Sequence, residues 1–135
     1  CECVLQLLII HKKVVYMNLS ARKRMYDRKL INRFVIKKGN TYRIVKITEV
    51  EWIEASGNYI KIHADEDRYL IRNTLKGIIE KLDPIQFFQI SRSTVVNIEF
   101  IDKIEETAYG NCEVMLVNGK KLKMTKNYKE LLETV

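Results

Sequence analysis

The sequence is short of chain breakers, of cysteine and of catalytic side chains. One Pro and five Gly in 135 residues leave little room for disordered linkers. Three cysteines, Cys1, Cys3 and Cys112, form an odd set with no long-range pattern. They argue for reduced thiols in a cytoplasmic chain and against a disulfide framework. Cys1-x-Cys3 has no partner pair, so no metal is expected. There are two His and no phosphate-loop, dinucleotide-binding or His-Glu-x-x-His motif. Serines lack nucleophile-elbow glycines, and the acids are scattered over turns. The sequence therefore predicts no enzyme and no cofactor. His63, on an alternating strand beside a turn, reads as a structural imidazole rather than a base or ligand.

Long apolar runs are also missing. Val4 to Ile10 is apolar except for Gln6, which is too short to span a bilayer. No basic start or small-residue cleavage site marks a signal peptide. The first residue is Cys rather than Met, which suits a piece of a longer chain. A membrane tether upstream of Cys1, with Lys12 and Lys13 on its cytoplasmic side, ranks below a cytoplasmic chain.

What is present is ordinary globular material, 47% apolar and 30% charged, enough for one domain with a real core. The net charge is +7, and its placement is uneven. Between His11 and Lys46 stand 12 Lys/Arg against Asp27 alone, a local +11 that leaves −4 for the remainder. Polyanion binding by the C-terminal two-thirds must therefore rest on a local patch.

The pattern divides near residue 33. Within 1–33, Tyr26 and Leu30, with Phe34 beyond, recur every four residues among Arg and Lys. Asn18 or Ser20 could cap them, so this reads as a helical arm. From Phe34 the period becomes two. Lys37-Lys38-Gly39-Asn40 predicts a hairpin into Tyr42–Val45, and Ile47-Thr48-Glu49-Val50 one helical turn. Strands follow over 51–55, 59–63 and 68–72, with a Ser56-Gly57-Asn58 corner and an Asp65-Glu66-Asp67 turn between them. Thr74 caps a helix carrying Leu75, Ile78, Ile79 and Leu82, ended by Asp83-Pro84. Phe87, Phe88 and Ile90 are core candidates. Further strands lie on both sides of Ser91-Arg92-Ser93 and around Gly110-Asn111 and Asn118-Gly119, the last being the strongest hairpin signal. Asn127-x-x-Glu130 opens a final helix.

Polar and basic residues gather where strands meet loops: Asn58, Ser91-Arg92-Ser93, and Lys126-Asn127 within a lysine cluster. Loop amides and helix starts suit phosphates, and Arg and Asn read guanine and adenine edges. Each has a plainer reading: Ser91, Ser93 and Asn127 as caps, and Asn58 as a left-handed turn residue. These patterns leave nucleic-acid binding and a β-rich protein-interaction or regulatory module both open.

Spacing adds a resemblance. "EVEWIEASGNYIKIH", "RNTLKGIIEKL", "FFQISRSTVVNIEFIDKIE" and "GKKLKMTKNYKELL" together resemble the LytTR family of bacterial DNA-binding domains, mostly output domains of response regulators in two-component systems. The resemblance covers residues 34–135. Ser91 stands where the family usually has His. Lys126 stands where Arg is more common, which keeps the charge and loses the two-pronged fork. The resemblance implies a mostly β (α+β), elongated fold of about ten strands in three small antiparallel sheets with short flanking helices. It implies sequence-specific binding of double-stranded DNA, on direct-repeat half-sites, by loops entering successive major grooves. By position, Asn58, Arg92 and Lys126 would touch bases. Lys61, Arg72, Asn73, Ser91, Ser93, Lys121, Lys123, Asn127 and Lys129 would touch the backbone. The arm over 1–33 lies outside the resemblance and could pair two copies into a homodimer.

Overall fold

The computed structural model describes residues 30–108 and 110–125. The expected helical arm, pairing through it, the closing helix, and Lys126, Asn127 and Lys129 lie outside the described residues.

Among the described residues, ten strands form three antiparallel sheets. Strands β1 (Arg33–Lys38) and β2 (Thr41–Lys46) make a two-stranded ribbon. Strands β3 (Val50–Ser56), β4 (Tyr59–Ala64), β5 (Asp67–Arg72), β6 (Phe87–Ser91) and β7 (Thr94–Asn97) form a sheet ordered β5-β4-β3-β7-β6. Strands β8 (Ile101–Glu106), β9 (Cys112–Leu116) and β10 (Lys121–Met124) form the third, with β9 central. Among the described residues, helix is confined to α1 (Leu75–Ile79) and two 3-10 turns, Ile47–Glu49 and Ile98–Phe100. Among the described residues no helix is long and apolar enough to cross a membrane.

Alternation builds the core. Ile60 and Ile62 are fully buried while Tyr59 is exposed. They join Phe34, Ile36, Val45, Ile53, Ile78 and Val95 in one cluster, beneath the ribbon and α1. Trp52, Ile90 and Val96 face the other way and pack on Ile104, Val114, Leu122 and Met124 of the third sheet. The five-stranded sheet is thus apolar on both faces around β3.

The helical spacing at Phe34 gives way to the strand. Phe34 is a buried residue of β1, because only the two-residue period puts it and Ile36 on one face. The helix after Thr74 is shorter than its stripe predicts. Thr74 Oγ1 accepts from the Gly77 amide at 3.0 Å, but α1 ends at Ile79. Lys81 and Leu82 continue with tight bonds to the carbonyls of Ile78 and Ile79, which still delivers Leu82 to the core.

Asn118-Gly119 closes a hairpin, but not as a two-residue turn. The Gly119 amide bonds the Leu116 carbonyl, the Leu116 amide bonds the Lys120 carbonyl, and only Gly119 (φ +89°) is left-handed. This is the three-residue loop with a bulge. Asn118 Nδ2 instead reaches Glu51 Oε2 at 3.0 Å, tying this hairpin to β3.

Glu51 is the extra residue of a bulge in β3, where pairing with β4 shifts between Val50 and Trp52. The bulge lets Val50 and Ile53, three positions apart, share one core face although simple alternation would separate them. Buried Asn97 holds the site. Its Nδ2 donates to the Val50 carbonyl at 2.8 Å and its Oδ1 accepts from the Glu99 amide at 3.0 Å. Asn97→Ala would leave both partners unsatisfied, one of them buried. The expected loss is about 2–3 kcal/mol in urea unfolding, and an unchanged midpoint would show that water replaces the amide.

Candidate nucleic-acid interface

The register of the five-stranded sheet decides which loops are neighbours. Ser56 pairs with Tyr59, and Tyr59 with Arg72. On the other side of β3, Glu54 pairs with Thr94 and Thr94 with Ser91. The Ala55 amide also donates to the Ser93 carbonyl at 2.8 Å. The Gly57-Asn58 corner, the Arg92-Ser93 turn and the end of β5 therefore share one end of the sheet. The two turns are separated by about two strand spacings, roughly 10 Å.

In the corner, Gly57 has φ +63°, whereas Asp65 is the one non-glycine residue with positive φ among those described. Positive φ at the first of two turn residues is the type II′ pattern, which favours Gly there. Asn58 is thus not the left-handed residue, and the turn does not depend on its side chain. Asn58 is exposed. Opposite, Arg92 and Ser93 are exposed while Ser91 is only 8% exposed. Ser91 Oγ accepts from the Ser93 amide at 3.3 Å, so it shapes the turn from within. Among the described residues, neither Arg72 nor Arg92 takes part in an ion pair.

Other predicted site residues are placed differently. Asn73 follows Arg72, but its Oδ1 accepts from the Thr74 amide at 2.8 Å. Lys61 pairs with Glu54 at 3.7 Å. Lys121 and Lys123 belong to β10 of the third sheet and line a shallow cleft with Thr107, Asn111 and Glu113. The Thr125 amide of that segment donates to the Ile90 carbonyl at 3.1 Å, joining it to the loop-bearing end. The link sets the end of β10 beside the Arg92 turn, and no sequence signal pointed to it.

Two side chains not assigned to the site support it. Trp52 and His63, cross-strand partners, stack with centroids 3.7 Å apart and planes 2° from parallel. His63 Nε2 lies 3.0 Å from Glu54 Oε1, so Glu54 is held by both His63 and Lys61. Burial holds the imidazole below its ordinary pKa, partly offset by Glu54. As pH falls past about 6.5, the unfolded chain takes up this proton before the folded one does. Stability from His63 is therefore complete above that pH and lost below it. In denaturant midpoints measured between pH 5 and 7.5, His63→Phe should flatten the rise seen in the wild type. An equally steep rise in both would acquit His63.

The comparisons with known proteins agree with this geometry. The family model described as "LytTr DNA-binding domain" matches residues 40–135. An uncharacterized response regulatory protein of Vibrio cholerae is 39% identical over 71 residues, covering 50% of this chain and 27% of its own length. The sensory transduction protein LytT of Bacillus subtilis is 24% identical over 101 residues, 74% of this chain and 42% of that protein. This chain thus spans less than half the length of either relative. A solved LytTr DNA-binding domain from Bacillus cereus superposes with a TM-score of 0.70 at 18% identity, over 77% of this chain and 95% of the other, which speaks for the fold alone. The family match runs from the tip of the ribbon through the Asn58 and Arg92 turns to the final residue, and on it the chain belongs to the LytTr DNA-binding domain family.

Proposed function

We propose that this chain is the DNA-binding output domain of a bacterial transcription regulator, and that it recognises duplex sequence with turns rather than a recognition helix. One observation carries the reading: the register that gathers two exposed turns, Gly57-Asn58 and Arg92-Ser93, at one end of a rigid sheet. Turns mounted on paired strands can enter a major groove about 12 Å wide. Arg92 is the base reader, with guanine the matching edge, and Asn58 pairs best with adenine. Ser91 acts through the shape of the turn. Arg72, in no ion pair among the described residues, offers its charge to a phosphate at the same end. Lys126 follows Thr125 in the chain and is the third reader, with Asn127 and Lys129 on the backbone beside it. Lys61, Asn73, Ser93, Lys121 and Lys123 complete the backbone set. Repeated half-sites would suit an arm that pairs two copies.

Selection of bound sequences from random duplex DNA tests the base assignment. Arg92→Ala should flatten preference at one position of the site, a loss of about 1–3 kcal/mol there. A retained profile would remove Arg92 from the reading set. Asn58→Gly should keep the fold, since the turn rests on Gly57, and relax a different position. If it unfolds the domain and leaves preference unchanged, Asn58 is a turn residue only.

Phosphate contacts give another signature. Arg72→Ala should weaken all duplex sequences alike and lower the slope of log affinity against log salt by about 1. An unchanged slope in a salt titration would place Arg72 off the backbone.

A further inference from the structure

The outer face of the β1–β2 ribbon is apolar at its centre and cationic at its rim. Val35 and Ile44 are direct cross-strand partners, and Lys37 pairs with Tyr42. Val35 is 57%, Ile44 58% and Tyr42 63% exposed. Isolated exposed apolar residues are ordinary, but three side chains contiguous on one pleated face are not. Arg33 and Lys46, paired with each other, and Lys37 occupy the same face. None of these cations is in an ion pair among the described residues. From Arg28 to Thr48 the sequence has no Asp or Glu. The next acid, Glu49, is occupied by the backbone amide of Lys46.

We infer that this ribbon face docks an acidic, amphipathic segment of a partner protein. The apolar centre would receive its aliphatic side chains, and the rim would receive its carboxylates. Position separates this face from the proposed DNA edge. The ribbon leads through the 3-10 turn into Val50, the end of β3 opposite Ser56. Its inner side meets the far end of the sheet. Arg43 and Val45 line a cleft with Ala64, Asp65 and Tyr69, and Lys38 Nζ lies 5.4 Å from the centre of the Tyr69 ring. Those residues lie at or near the β4–β5 turn, which the length of β4 removes from the Asn58 corner by roughly 20 Å. A duplex read by Asn58 and Arg92 would have no use for three exposed apolar groups at that distance, whereas an acidic protein segment uses both the apolar centre and the charged rim.

The test uses the full chain and a blocked synthetic peptide of alternating leucine and glutamate, followed by methyl NMR. Saturable shifts should centre on the Val35 and Ile44 methyls. The double variant Val35→Thr/Ile44→Thr should bind the peptide roughly tenfold or more weakly. Leu70→Thr, altering an exposed residue of another sheet, should bind like the wild type. A peptide with lysine in place of glutamate should not bind. Equal binding by the double variant, or shifts centred elsewhere, overturns the inference. So does sedimentation showing a dimer that the double variant abolishes, since a second copy would then cover the face. A uniform fall in DNA affinity for Lys37→Glu/Lys46→Glu with peptide binding unchanged overturns it as well, and would assign the face to phosphates.

Discussion

Asn97 donates to the carbonyl of Val50, and the placement of the whole loop-bearing end depends on that buried bond. The bond holds β7 against a bulge in β3. A one-residue slip along β3 would turn every side chain to the opposite face. Trp52 would leave the second cluster, Ile53 would leave the first, and the Arg92 turn would no longer sit level with the Asn58 corner. Because β3 lies between β4 and β7 and is apolar on both faces, neither side of the sheet can adjust without the other.

The neighbourhood of the bulge is more polar than a core usually permits, and it remains satisfied. Glu51 is buried, with a pKa raised by desolvation and by the nearby Asp65, while the Asn118 amide acts in the opposite sense. A raised carboxyl pKa stabilises the fold below the ordinary carboxylate range and loses that contribution as pH rises. His63 runs the other way, so the two groups act in opposite directions as pH rises toward neutrality. Glu51 is tied to the Asn118 hairpin of the third sheet, and His63 is tied through Glu54 to β3 of its own sheet. The Glu51–Asn118 contact thus links two sheets that the apolar clusters alone would merely hold close.

Much of the fold could be read locally. Alternation located Ile60 and Ile62, and Thr74 announced its helix. The Gly39 and Gly57 corners lie where turn chemistry put them. Family resemblance supplied ten strands in three sheets, which the structure bears out. Local signals failed where a distant partner intervened. The Asn118-Gly119 signal was right about a hairpin and wrong about its turn, because Asn118 is drawn to Glu51, 67 positions away. The stripe ending at Leu82 overstated the helix, because burial of Leu82 needs only its position, not helical bonding.

By itself the sequence determined the chemistry available at each corner: a glycine able to turn, an Asn or Arg able to read, a ribbon without acids. Those properties belong to single residues and their nearest neighbours along the chain. Tertiary structure alone decided which corners stand together. Pairing of residues 52–54 with 94–96 and the bond from Thr125 to Ile90 join segments whose contact no local pattern encodes. A strand's period fixes which face a side chain takes, but only its long-range register fixes what that side chain stands beside.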